Sequence, residues 1–102
     1  RNYTWIGDGI RFEWDAAKAD ANANKHAVTF EEASTVFEDE HARLRDDPEH
    51  SEDEDRFILL GMSKRLRILV VAHCYRESDE VVRIISARRA TNREAKQYEE
   101  LW

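Results

Sequence analysis

Three runs rich in apolar, β-branched and aromatic residues, Arg56 to Ser63, Arg67 to Tyr75 and Glu80 to Ala87, follow one another almost without pause. The connections between them, Lys64 to Leu66 and Arg76 to Asp79, are too short to hold a crossover helix. The three strands must therefore be antiparallel neighbours in one sheet. A fold for this chain has to be built around that meander.

Helical signals stand on both sides of it. Ile10, Phe12 and Trp14 alternate with Arg11 and Glu13, which reads as a strand. Asp15 then caps an alanine-rich helix that is expected to fray near Asn24. Thr29-Phe30-Glu31-Glu32 has the form of a capping box, with Val28 and Ala33 placed as a hydrophobic staple. Thr91-Asn92-Arg93-Glu94 is a second box, opening a helix whose apolar stripe is Ala95, Tyr98 and Trp102. Ala42 to Asp46 is a further short strand, and Arg1 to Gly9 a loose lead-in. The order is β-α-α-β-β-β-β-α, helices on an antiparallel sheet: one α+β domain over residues 1–102. In the alternation along Arg67 to Tyr75, the side bearing Ile68, Val70, Ala72 and Cys74 reads as the core face.

The net charge of −6 is unevenly spread. Glu38 to Asp55 carries ten acidic residues against Arg43 and Arg45, much of it in the exposed, proline-bearing loop Asp47 to Asp55. From Lys64 to Lys96 basic residues predominate, so local phosphate binding is compatible with an acidic total. A single cysteine, Cys74, excludes an internal disulfide and reads as a small buried hydrophobe. His41 and His50 lack metal-ligand spacing, and neither a phosphate-binding glycine loop nor a nucleophile elbow is present, so no metal or cofactor is expected. No apolar run approaches a membrane span of ~18 residues and no signal-peptide pattern is present, which makes a cytoplasmic location the expectation.

The residues suited to chemistry fall into two groups. Lys18, Asn22 and Lys25 lie within roughly 60° of one another on the first helix, and Lys25-His26 stands at its end. The pair is either a C-terminal cap offsetting the helix dipole or a phosphate-binding, proton-transferring couple. Arg67 and Arg83 lie inside apolar strands, where each needs either a buried carboxylate or a phosphate in a groove. Arg88 and Arg89 precede the helix N-terminus at Thr91, a plausible anion site; Tyr98, two turns along, either reaches the same region or, as the favoured reading, packs in the core.

Phe12, Trp14-Asp15, Lys18, Asn22, Lys25-His26, Val28 and Phe30-Glu31-Glu32-Ala33 together resemble the N-terminal signature of the BrnT toxins. Arg83-Ile84-Ile85-Ser86-Ala87-Arg88, Ala90-Thr91, Glu94 and Tyr98 resemble that family's C-terminal signature, with Arg56-Phe57, Gly61, Ser63, Arg67 and Val70-Val71 in order between them. The resemblance spans Ile10 to Glu100. It implies a RelE-like fold and a ribonuclease toxin of a type II toxin–antitoxin module. A BrnA-like antitoxin would neutralise the toxin in a hetero-oligomer and supply the only contact with DNA. The expected reaction is metal-independent RNA endonucleolytic cleavage through a cyclic phosphate. His26 and Lys25 would move protons, Arg67, Arg83 and Arg88 would clamp the phosphate, and Lys18, Asn22, Thr91 and Tyr98 would bind substrate. The rival is a catalytically weak or inactive binding module that regulates its operon with a DNA-binding partner. Direct DNA binding is disfavoured by net charge and the lack of a recognition-helix pattern. One departure stands out. Family members commonly carry glycine after the Lys-His pair, and Ala27 would cost about 1 kcal/mol if that turn takes a positive φ.

Overall fold

The computed structural model describes residues 1–50 and 54–100. Its six-stranded sheet begins earlier than expected. Residues 2–7 are a strand, β1 (Asn2–Gly7), paired antiparallel with β2 (Ile10–Asp15), rather than a loose lead-in. The reason is local. Asp8 and Gly9 both take positive φ (51° and 78°), the two-residue hairpin turn for which Asp-Gly is suited. Tyr3 then stacks on Trp14 with ring centroids 5.3 Å apart, and Trp5 tilts against the same indole.

From β2 the chain passes through α1 (Ala16–His26), α2 (Phe30–Thr35) and a 3-10 turn, Val36–Glu38. It re-enters the sheet at the far edge as β3 (Arg43–Asp46), followed by β4 (Phe57–Met62), β5 (Ile68–Arg76) and β6 (Val81–Arg89), then α3 (Asn92–Glu99). The strand order is β1-β2-β6-β5-β4-β3. The meander is antiparallel as its short turns demand, but β6 returns beside β2 in the same direction, with Phe12 opposite Val82. The sheet is thus mixed, not wholly antiparallel.

One face of the sheet is covered by the helices. Phe12, Trp14, Leu59, Leu69, Val71, Val82, Ile84 and Ala87 pack there against Val28, Phe30, Ala33 and Val36. In β5 this is the side of Leu69, Val71 and His73, the reverse of the face expected to form the core. Val70 and Cys74 on the other side are buried as well, so alternation alone was a poor guide in this central strand. A register shift at Ala72/His73 makes β6 contribute Val82 and Ile84 and then Ala87 to one face. Gly61 lies where an added Cβ would come within 2.8 Å of Val36 and Ala42, so its bare backbone lets the 3-10 turn close onto β4.

The caps follow the sequence with one exception. Asp15 accepts from the Lys18 N–H, and the box at Thr91 and Glu94 is complete. Thr29 accepts from the Glu32 N–H, with Val28 and Ala33 fully buried as a staple, but the Glu32 carboxylate points elsewhere. Trp102 and residues 51–53 of the acidic loop lie outside the described residues.

Two predictions follow from local strain and burial. Ala27 terminates α1 in the left-handed region (φ 56°, ψ 33°), its N–H bonded to the Ala23 carbonyl. Ala27→Gly should therefore raise unfolding free energy by about 1 kcal/mol in urea titration. His73 is wholly buried between Phe37, Phe57 and Tyr75, with Nδ1 on the Val71 carbonyl and Nε2 on the Tyr75 hydroxyl. Burial pushes its pKa down to about 4. The unfolded chain binds that proton near the ordinary histidine value of about 6.5 and the native chain does not, so stability should fall as pH drops from there towards 4, by about 3 kcal/mol. His73→Phe should remove that slope from pH-dependent denaturation curves.

Candidate active site

The position of α1 is set by one amide. Asn22 is 8% exposed, and its Nδ2 donates to the carbonyls of Ala87 (2.8 Å) and Val28 (3.0 Å). Its Oδ1 accepts from the Ala87 N–H at 3.1 Å. The side chain thus pairs with the edge of β6 as a strand residue would, one element after β2 has ended. Asn22 brackets the fold, with both Nδ2 hydrogens spent on backbone carbonyls. Lys18, one turn before it, and Lys25 and His26, one turn after, share its side of the helix. Lys18 and Lys25 are exposed and His26 half-buried; none of the three side chains makes a hydrogen bond or ion pair with a described residue.

Arg67 reaches this region from the start of β5. Its Nε donates to Glu32 Oε2 (2.9 Å), and its Nη2 donates to Glu32 Oε1 and to the Ala27 carbonyl (3.0 Å). The Ser63 hydroxyl donates to the same carboxylate at 2.7 Å. The Glu32 side chain is 3% exposed. Burial alone would raise its pKa, but the hydrogen bonds from Arg67 and Ser63 outweigh it and hold the carboxyl below its usual range. This explains the half-made box at Thr29: the glutamate is taken by the arginine. The guanidinium then clips the turn that directly follows His26.

Arg83 and Arg88 stand on the opposite face of the sheet, so the three arginines do not converge on one phosphate as expected. Arg83 pairs with Glu13 and donates to Asn2 Oδ1 at 3.2 Å. Arg88 holds Glu94 through two hydrogen bonds, 2.7 and 3.0 Å. Arg83 lies opposite Cys74 and Arg88 opposite Val70, four residues apart along β5 and hence ~13 Å. The anion site expected at Thr91 is present but filled from within: Glu94 accepts from the Thr91 N–H at 2.9 Å as well as from Arg88. The Arg88 hydrogen bond, against the opposing effect of burial and with help from Thr91, holds the Glu94 carboxyl down to about 2. Tyr98 is buried and donates to Asp39 Oδ2 at 2.5 Å, and Thr91 serves as the helix cap. Both hydroxyls are thus engaged within the fold.

Glu32, Glu13 and Glu94 are the residues that sequence reasoning passed over. Glu32 and Glu94 announced themselves only as the last members of their capping boxes, and Glu13 only as an alternating residue of its strand. Among the described residues no group of His, Cys, Asp and Glu is arranged to hold a metal ion, and no helix is long and apolar enough to cross a membrane. Glu32→Ala should cost about 1–3 kcal/mol, because the half-buried Arg67 guanidinium and the buried Ser63 hydroxyl lose the carboxylate they share; no loss in urea titration would show that the clip is dispensable.

Comparison with known proteins agrees with this architecture. Residues 14–94 match the family described as the ribonuclease toxin, BrnT, of type II toxin–antitoxin systems. The 1.1 Å crystal structure of the Brucella abortus ribonuclease toxin BrnT superposes with a TM-score of 0.59 at 23% identity, covering 78% of this chain and 94% of that one. No curated protein matches the sequence. With the match running from the end of β2 to the capping box of α3, the chain belongs to the BrnT family of ribonuclease toxins of type II toxin–antitoxin systems.

Proposed function

We propose that the chain is a metal-independent endoribonuclease whose reacting groups stand at the end of α1. The observation that carries this reading is the stripe of Lys18, Lys25 and His26, whose side chains have no hydrogen-bond or ion-pair partner among the described residues, followed by a turn that Arg67 clips within the segment that matches a ribonuclease toxin family. RNA contains its own nucleophile. Its 2′-hydroxyl attacks the adjacent phosphorus, the bond to the 5′-oxygen breaks, and a 2′,3′-cyclic phosphate and a 5′-hydroxyl result. The reaction needs one proton removed from the 2′-oxygen, one delivered to the leaving oxygen, and cations for the charge developing on phosphate. His26 suits the proton transfer, and Lys25 and Lys18 suit the phosphate. Arg67 enters as a positioning residue, and Arg83 and Arg88 as supports of the sheet. The toxin would act in the cytoplasm, where cleavage arrests translation and growth until a BrnA-like antitoxin binds and, through its own DNA-binding domain, represses the operon.

A second reading rests on a specific observation: Arg67, Arg83 and Arg88 are each neutralised by a glutamate, as they would be in a binding module without turnover. Cleavage of single-stranded RNA in excess EDTA separates the two. Wild type should cut and leave cyclic phosphate ends, and His26→Ala should lower the rate 10²-fold or more. Cleavage lost on chelation would overturn metal independence. Wild-type activity no higher than that of His26→Ala would favour the binding module.

A further inference from the structure

The face of the sheet away from α1 and α2 ends in an edge that the reaction does not use. β3 is the outermost strand, and all four of its residues are exposed. Arg43 and Arg45 lie opposite Leu60 and Ile58 of β4, and Leu60 in turn lies opposite Val70 of β5. These three aliphatic side chains floor a groove of about 350 Å³, with the two arginines on one wall and Glu94 of α3 on the other. Glu94 is already bound by Arg88, and neither Arg43 nor Arg45 has a hydrogen-bond or ion-pair partner for its side chain among the described residues. In a chain of net charge −6 this is a patch of uncompensated positive charge beside an unpaired strand. Between the arginines, Leu44 is 54% exposed and by alternation faces the other side.

We infer that β3 is where the antitoxin docks, by adding an extended segment with alternating acidic and apolar residues as a seventh strand. This rests on the toxin–antitoxin reading above for the identity of the partner. Backbone pairing along the edge would supply affinity. Acidic side chains two residues apart would meet Arg43 and Arg45, and the apolar residue between them would cover Leu44. A second copy of this chain fits poorly, because antiparallel self-pairing centred on Leu44 sets Arg43 against Arg45. RNA fits poorly too, since the groove floor is aliphatic and offers no ring on which a base can stack.

The test uses the full chain and the antitoxin encoded beside it, with hydrogen exchange and calorimetric titration as readouts. On binding, the outward amides of Leu44 and Asp46 should become protected in the wild type, since those of Arg43 and Arg45 already face β4. Arg43→Glu/Arg45→Glu should weaken binding by about 100-fold, while Arg43→Lys/Arg45→Lys keeps most of it. The free charge-reversed variant should cut RNA as wild type does, so docking can fail without the nuclease reading failing, and the reverse. Leu44 and Asp46 amides left unprotected, or wild-type affinity in the charge-reversed variant, would overturn the proposal. So would RNA cleavage lost with antitoxin binding intact, which would mark an RNA groove. Protection that grows with toxin concentration alone would assign the edge to a second copy instead.

Discussion

The architecture turns on the hydrogen bonds between the Asn22 side chain and the Ala87 backbone. β2 pairs with β6 only over Arg11 to Glu13, so beyond that point the inner edge of β6 would face the protein with unmet donors and acceptors. Such groups are costly to bury. Asn22 meets both at Ala87 and, through its second Nδ2 hydrogen, the Val28 carbonyl as well. A single primary amide thereby locks α1 to the sheet and fixes the turn into α2. Lys18, Lys25 and His26 are placed only because their helix is held in this way.

The arginines obey a related constraint. A guanidinium in an apolar sheet must find a carboxylate, and each of Arg67, Arg83 and Arg88 has one from a distant element or from the next helix. Burying such a pair gains little over apolar residues of the same size, but removing one partner is expensive. The pairs are therefore better understood as determinants of geometry than as sources of stability. Arg67 shows it most directly: its carboxylate partner orients the guanidinium, which then fixes the Ala27 carbonyl. Among the described residues, Lys18, Lys25, Arg43 and Arg45 keep cationic side chains that the fold leaves without a partner, as do Arg89, Arg93 and Lys96 near α3.

Much of this fold was legible residue by residue. The meander, the caps at Asp15, Thr29 and Thr91, and the staple of Val28 with Ala33 are short-range patterns, and each appears where its pattern stands. The first strand was legible in principle, through Asp8-Gly9, but the segment before it lacked clean alternation. The parallel pairing of β2 and β6 and the register shift at Ala72/His73 were not legible, because each depends on which strands meet after the chain has crossed the sheet.

The candidate site divides the same way. Residue types and spacing along one helix were enough to bring Lys18, Asn22, Lys25 and His26 to one side of α1, since helical periodicity is a local property. Spacing could not say that Asn22 would be consumed by Ala87, that Glu32 would abandon its cap for Arg67, or that Glu94 would fill the anion site at Thr91. Those outcomes are settled by which polar groups share a buried neighbourhood, where each must find a partner. The sequence by itself determined the strands, helices and caps, through interactions spanning a few residues. Only the tertiary structure decided which charges were spent on the fold and which were left over, because burial forces pairing between residues far apart in the chain.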